Sequence, residues 1–357
     1  MLSWKLKSAA RTPALMPTSP HAPLPPLLDR FGRRHRSLRV SVTDRCNIRC
    51  FYCMPAEQAV FRPRAALLSY EEIARFVAAV IPLGVDKVRI TGGEPLVRSE
   101  LPVLVERLAG LEGLADLALT TNGILLPELA APLRRAGLRR INVSLDSLRE
   151  TTFRTIARRG GVHRVLAGIA AAQDCGFADV RLNAVAIRGV NEDEIVELVQ
   201  FARDRGLTIR FIEFMPLDAD QSWDPQQVLD GRQIRRLIED RWGPLRPAPR
   251  DNPAQPAVDF EFPDGRGRVG VISPVSAPFC DACDRLRITA EGQLRNCLFA
   301  SREWDARALL RGGLPAEELD ERLRGLVREC VAEKAAAHGI GQPDFAPPTR
   351  AMYQIGG

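Results

Sequence analysis

Three cysteines stand together in TDRCNIRCFYCMP, at Cys46, Cys50 and Cys53. The x3 and x2 spacing puts three thiols on one short loop. Such a trio can hold three irons of a four-iron cluster, where a fourth cysteine would normally close the site. The fourth iron is then open to a bidentate ligand. A structural zinc site or buried thiols are the other readings. Zinc would want a fourth ligand nearby, and the local sequence offers none. Far downstream, Cys280-x2-Cys283-x13-Cys297 forms a second set. Cys175 or Cys330 could complete it as a four-cysteine zinc site. Yet Cys175 ends an amphipathic helical segment and Cys330 sits within another, where a thiol is more simply a core or surface residue. Read like the first set, the second again leaves one iron open, which in a buried site is a place to bind substrate. None of the four histidines, His21, His35, His163 and His338, adjoins either set.

TGGEP at 91–95 adds two glycines that let the backbone approach a ligand closely. Taken alone, a Gly-Gly pair is usually just a turn. Eight cysteines in 357 residues, six of them in two groups, favour metal or cluster binding in a reducing compartment over a disulfide framework. The chain is 45% hydrophobic and 26% charged, enough to bury a core without disulfides. Its net charge of +6 fits either nucleic acid or an anionic small molecule such as a nucleotide. No run of eighteen apolar residues exists, so no membrane-spanning helix is expected.

These residues need elements to carry them. LRVSVT (38–43), KVRIT (87–91), LALTT (117–121), RINVSL (140–145), DVRLNAVAI (179–187) and TIRFIEF (208–214) read as strands. Helical segments separate them. SYEEIARFVAAVI has a capping-box spacing at Ser69 and Glu72, and an apolar stripe at Ile73, Phe76, Val77, Val80 and Ile81. Asn191 is the expected cap of a later helix. Six β-α units in order predict an α/β fold: an incomplete (βα)6 barrel of the TIM type with a parallel sheet. Cys46, Cys50 and Cys53 follow the first strand and TGGEP the second, where such barrels carry their sites.

After residue 215 the rhythm stops. A helix, a Pro-rich loop, strands at VDFEF and RVGVIS, a hairpin of RLRIT with EGQLRNC, and helices over 303–311 and 316–336 are expected. This C-terminal α+β extension carries the second cysteine set. Three parts result: 1–36 as a disordered, basic, Pro-rich arm, 37–215 as the barrel, and 216–357 as the second region packed on it. The arm has the composition of a transit peptide, or is a dispensable extension with Met16 as an alternative start.

The x3 and x2 cysteine spacing with an aromatic before the third resembles the radical S-adenosylmethionine (SAM) enzymes. TGGEP is similar to the motif of that superfamily that contacts the SAM amino group. The full layout resembles one family within it, the GTP 3′,8-cyclases of molybdenum cofactor biosynthesis. The likeness rests on DRFGR (29–33), LRVSVTDRCNIRCFYCMP (38–55), RITGGEPLVR (89–98), TTNG (120–123), SLD (144–146), FIEFMP (211–216), CDACDRLRITAEGQLRNCLF (280–299) and the terminal Gly-Gly. It spans about residues 28–357.

The resemblance implies two [4Fe-4S] clusters and SAM as cofactors, with Cys46, Cys50 and Cys53 on the SAM cluster and Cys280, Cys283 and Cys297 on the cluster that binds guanine. It implies SAM contacts at Tyr52, Gly93, Ser144 and Met215, and GTP contacts at Arg39, Arg89, Thr120, Arg181, Arg285, Leu286 and Arg287. Arg181 departs from the Lys of many relatives, which keeps charge but not geometry. Arg285, Arg287, Gly356 and Gly357 are implied to assist catalysis. The implied activity is that of a lyase converting GTP to (8S)-3′,8-cyclo-7,8-dihydroguanosine 5′-triphosphate. Its implied partners are an external electron donor and a downstream cyclic pyranopterin monophosphate synthase, with no nucleic acid and no membrane. The family suggests a homodimer and a cytoplasmic location. A radical SAM enzyme acting on peptides and a zinc-stabilised nucleic-acid-binding protein are the rival readings.

Overall fold

The computed structural model describes residues 24–250 and 252–356. Six strands follow one another in parallel, in sequence order: β1 (Ser37–Ser41), β2 (Lys87–Thr91), β3 (Asp116–Thr121), β4 (Arg140–Ser144), β5 (Asp179–Ala186) and β6 (Thr208–Glu213). Helices cross between them: α1 (Tyr70–Val80), α2 (Leu101–Ala109), α3 (Leu126–Arg135), α4 (Glu150–Ala157) with α5 (Val162–Asp174), and α6 (Ile195–Asp204). This is the incomplete (βα)6 barrel expected from the rhythm of the sequence.

Side-chain alternation gives the barrel its two faces. Leu38 and Val40 on β1, Val88 and Ile90 on β2, and Leu286 and Ile288 further on are buried among the helices. Burying each such side chain contributes about 1.5–3 kcal/mol. The residues between them, Arg39, Arg89 and Arg287, point the other way, into the barrel. Helix α1 begins as expected. Ser69 Oγ accepts from the Glu72 amide at 3.1 Å, and Glu72 accepts from the Ser69 amide at 2.6 Å. Its stripe of Ile73, Phe76, Val77 and Val80 is buried.

The C-terminal region does more than pack on the barrel. After α7 (Gly231–Trp242) come β7 (Arg246–Pro247), β8 (Val258–Glu261), β9 (Arg268–Ile272), β10 (Arg285–Ile288), β11 (Gln293–Arg295) and β12 (Trp304–Asp305). Strand β9 pairs parallel with β6, and β10 pairs parallel with β1. The extension therefore joins both open edges, in one twelve-stranded sheet ordered β12-β11-β10-β1-β2-β3-β4-β5-β6-β9-β8-β7. The β8–β9 and β10–β11 antiparallel pairs are the short strands and hairpin expected here. Helices α8 (Ala306–Leu310), α9 (Ala316–Ala332) and α10 (Met352–Ile355) complete the chain.

Three expectations are corrected. Residues 303–311 open with β12 rather than a helix, because Trp304 pairs with Leu294. Asn191 does not cap by its side chain; it accepts from the Ile187 amide and donates to the Asp146 and Val185 carbonyls, pinning two strand ends. Gly92 and Gly93 do let the backbone come close, and on the side where a Cβ would stand they meet the chain itself. A Cβ on Gly93 would lie 2.5 Å from the Arg45 carbonyl oxygen. Residues 24–36 do not extend the arm: Leu27, Asp29, Arg33 and His35 are buried, and the Leu27 amide bonds to Leu83. Residues 1–23 of the expected arm lie outside the described residues. Among the described residues no helix is long and apolar enough to cross a membrane.

Candidate active site

Strand direction separates the two cysteine sets. Cys46, Cys50 and Cys53 follow β1, at the C-terminal ends of the parallel strands. Cys280 and Cys283 precede β10, whose Arg285 aligns with Ser37 at the start of β1. They therefore sit at the opposite end of the barrel. A cavity of about 360 Å³ runs between, lined by Ser37 and Lys87 at strand starts and by Ser144, Asp146 and Met215 at or beyond strand ends. Tyr52, Cys280, Cys283 and Cys297 line the same cavity.

The first loop is fastened from several sides. Arg49 and Phe51 amides donate to the Ala157 and Ile156 carbonyls at 2.9 and 3.1 Å. Gly93 and Glu94 amides bond to Thr43 and Arg45 just ahead of Cys46. Glu94 is buried and accepts from the Thr121 hydroxyl and from the Leu96 and Asn122 amides. Burial pushes its pKa up to about 7, against those hydrogen bonds. Asn122 reaches Asn47 at 2.7 Å and the Cys46 sulfur at 3.8 Å. Tyr52 donates to Asp146 Oδ2 at 2.6 Å, while Asp146 Oδ1 accepts from the Val185 amide. Burial raises Asp146 to about 6.

Burial pushes the Cys46 thiol up to about 11, with Glu94 adding to it. Cys50 and Cys53 are raised further by burial and by their neighbouring thiols. Cationic iron at these sulfurs works in the opposite direction, favouring thiolate. The second set is wired differently. Burial raises Cys283, but Arg285 and Lys334 outweigh it and bring the thiol down to about 6. Arg285 Nη2 lies 3.4 Å and Lys334 Nζ 3.5 Å from its sulfur. Cys280 is raised by burial, with Cys297 and Cys283 adding to it and the His338 amide opposing.

Among the described residues, no three Cys, His, Asp or Glu side chains converge on a single-ion site. A zinc ion needs that convergence; three thiolates on three separate irons do not. Cys330 is buried in the core with Leu323 and Val327, and Cys175 packs at the end of α5, so neither acts as an evident fourth ligand. With three thiols each and no evident fourth ligand, both sets have the donor chemistry of a three-cysteine cluster site.

Between the sets lies a row of cations. Arg287, Arg39 and Arg89 are aligned on three adjacent strands, β10, β1 and β2. Neighbouring strands are about 4.8 Å apart, so the row crowds like charges. Burial presses Arg39 well below its ordinary pKa, with Arg287 and Arg285 adding to it. Burial and nearby arginines push Arg89 and Arg287 down to about 9. The Arg39 guanidinium has no hydrogen-bond partner among the described residues. Arg89 meets the Thr120 hydroxyl at 3.2 Å, and Arg287 donates to the Gly356 carbonyl. Arginine keeps its proton in proteins, so this strain calls for an anion.

The structure brings most of the expected residues together. Arg39, Arg89, Thr120, Arg181, Arg285 and Arg287 line the cavity. Arg181 also bonds Asp179 at 2.7 Å, so its charge is partly engaged. Leu286 does not line the cavity; it is buried against the helices, as its place between two inward arginines requires. Gly93 lies beneath the first loop. Gly356 sits against Thr91 and Ser41 with φ +72°, where a Cβ would approach Thr91 Oγ1 to 2.5 Å. Gly357 lies outside the described residues. Sequence reasoning missed Asp146, Asn122, Arg210, Lys334 and Met352 in or beside the site. The first two sit in SLD and TTNG, motifs already singled out; Lys334 had no local signal.

Residues 40–202 match the Radical SAM superfamily, and residues 207–340 match the family described as Molybdenum Cofactor Synthesis C. The chain is 51% identical to the GTP 3′,8-cyclase of Rhodopirellula baltica over 99% of this chain and 98% of that one. It is 44% identical to that of Geobacter sulfurreducens over 93% and 99%. Among solved structures it resembles Streptococcus suis SuiB bound to its precursor peptide SuiA, with TM-score 0.61 at 16% identity, covering 82% of this chain and 66% of that one. That likeness speaks to the fold. By its identity to these relatives over nearly its whole length, the chain belongs to the GTP 3′,8-cyclase family of the radical SAM superfamily.

Proposed function

We propose that this chain is a GTP 3′,8-cyclase. It is a radical SAM enzyme that converts GTP to (8S)-3′,8-cyclo-7,8-dihydroguanosine 5′-triphosphate, the first step of molybdenum cofactor biosynthesis. The observation that carries the reading is the cavity lined by Cys280, Cys283 and Cys297 at one end, by Tyr52 of the first cysteine loop at the other, and by an arginine row between. When bound, the cluster on Cys46, Cys50 and Cys53 supplies the electron that cleaves SAM, and the cluster on Cys280, Cys283 and Cys297 offers guanine an open iron.

The chain's own residues bind, orient and shield. Arg39, Arg89 and Arg287 hold the triphosphate in place of the anion their alignment lacks, with Thr120, Arg181 and Arg285 beside them. Arginine forks suit phosphate oxygens. The Leu286 backbone, between two contacting arginines, takes part by position. Tyr52, Ser144 and Met215 face the cavity to hold SAM, and Gly93, just past β2, meets the SAM amino group. Asp146 fixes Tyr52 by their 2.6 Å hydrogen bond. Gly356, against Thr91 and Ser41 at the strand ends, assists catalysis, as does Gly357. Burial in the barrel excludes water from the reacting atoms. Arg285 and Arg287 also favour the electron and proton uptake that completes the product.

Residues 37–215 form the SAM-handling unit and 216–357 the substrate-handling unit. The free thiols suit the reducing cytoplasm. An external reductant and a synthase that consumes the product are the required partners, and a homodimer is the expected assembly. Anaerobically reconstituted protein, given dithionite, SAM and each nucleoside triphosphate in turn, should form 5′-deoxyadenosine strongly with GTP alone. Equal formation with every nucleotide or none would leave the radical chemistry and remove GTP as substrate.

A further inference from the structure

The second cysteine set has a support that none of its own motif supplies. DRFGR, residues 29–33, folds as a tight turn before β1. Asp29 Oδ1 accepts from the Phe31 and Arg33 amides at 2.9 and 3.0 Å. The Gly32 amide returns to the Asp29 carbonyl at 3.0 Å, and Gly32 holds φ +75°, which glycine adopts without strain. The turn aims one side chain inward. Arg33 Nε donates to Asp29 Oδ2 at 2.5 Å. Its Nη1 donates to the Cys280 and Ala336 carbonyls, both at 2.8 Å, and its Nη2 to the Ala335 carbonyl at 2.7 Å. Asp29 is fully buried as a side chain and Arg33 is 6% exposed. No other hydrogen bond to the Ala335 or Ala336 carbonyl is seen among the described residues.

What Arg33 grips is the strip that touches the sulfurs. Lys334, just ahead, is buried and donates to Cys283 Sγ at 3.5 Å and to the Arg285 carbonyl at 2.8 Å. His338, just behind, lies beside Cys280, and its amide opposes the effect of burial on that thiol. The strip follows the end of α9, where Ala335 and Ala336 are exposed and line the cavity. We propose that Arg33, anchored by Asp29, is a positioning residue for the second cysteine set. Its guanidinium clasps Cys280 to residues 335–336, and so aims Lys334 at Cys283 and keeps His338 beside Cys280. This rests on the reading of Cys280, Cys283 and Cys297 as a cluster site. Hydrogen bonds to cluster sulfurs tune affinity and potential, and outer partners that orient ligands typically matter by about 10- to 100-fold in metal affinity. The rigid fork is what lets one side chain meet three carbonyls; a lysine cannot span them.

The test uses two backgrounds. In full-length protein with Cys46, Cys50 and Cys53 replaced by Ala, only the second set remains to take iron. In the other, Cys280, Cys283 and Cys297 are replaced. Arg33→Met and Arg33→Lys are placed in each, and iron retention against a chelator and the electron paramagnetic resonance signal after reduction are measured. Arg33→Met should weaken retention by about tenfold or more and change the signal in the first background only. Arg33→Lys should recover little of this. Unchanged retention and signal in that background, or equal losses in both, would overturn the assignment. Amide hydrogen exchange of the metal-free protein supplies a second readout: Arg33→Met should strip protection from Cys283, whose amide bonds to the same Cys280 carbonyl that Arg33 holds. If the parent second set takes up no iron, its reading as a cluster site falls, and exchange at Cys283 then decides the clasp, with retained protection refuting it.

Discussion

Arg39 shows what the site asks of a residue. It sits in a strand that could have carried an apolar residue there, yet it is half-buried with Arg287 and Arg89 beside it in register. Such crowding destabilises the free protein and is relieved by a polyanion. Arg39→Met should therefore raise KM for GTP by about tenfold or more, since a charge-assisted bond contributes about 1.5–3 kcal/mol. Iron content should stay the same. The same variant should raise the melting temperature of nucleotide-free protein; a lowered one would show that the arginine row is structural. Gly356 makes a different demand. Its positive φ and its contact with Thr91 leave no room for a methyl group. Gly356→Ala should lower turnover markedly with both clusters still assembled, and unchanged turnover would free the tail from any part in the reaction. The cysteines were legible because their spacing is itself the chemistry. Lys334 was not, because its partner Cys283 is 51 residues away in sequence.

At the scale of elements, β-branched runs and helical stripes announced the six barrel strands and most of the helices. Helix α4 was missed because ETTFRTIA is short and buries only Phe153, Ile156 and Ala157. The placement of β9 and β10 on opposite edges was not legible, since pairing across long sequence separation leaves no local pattern. The segment 24–36 was misread for a related reason. Its prolines and arginines look unstructured, and only Cys280 and residues 335–336 give Arg33 its partners. His35 in this segment makes a prediction about pH. Its ring is fully buried, with Asp29, Arg33 and Lys334 facing it. Burial first, with Lys334 adding to it, brings its pKa down to about 3, while an unfolded chain titrates near its ordinary 6.5. The unfolded state thus binds the extra proton between those values, and stability falls as pH drops below about 6.5. For one proton the slope is at most about 1.4 kcal/mol per pH unit. Urea unfolding of the metal-free protein from pH 7 to 5 should show a shallower decline in His35→Gln than in the parent. Identical slopes would mean His35 is protonated in the folded chain.

The whole molecule is an incomplete barrel extended at both edges by its own C-terminal strands, with one thiol set after β1 and the other before β10. Under the proposed function one chain needs two incomplete sets because one serves the radical source and the other the substrate. Replacing Cys280, Cys283 and Cys297 together by Ala should leave about half the iron while removing the GTP dependence of SAM cleavage. Retained GTP dependence would place the nucleotide elsewhere. The central claim is that a nucleotide lying along the arginine row puts its ribose beside SAM. The most direct measurement uses GTP deuterated at C3′, with SAM and dithionite under anaerobic conditions, and mass analysis of the 5′-deoxyadenosine formed. Deuterium transferred into 5′-deoxyadenosine is the predicted result. Unlabelled 5′-deoxyadenosine, formed at the same rate with labelled GTP, would contradict the account.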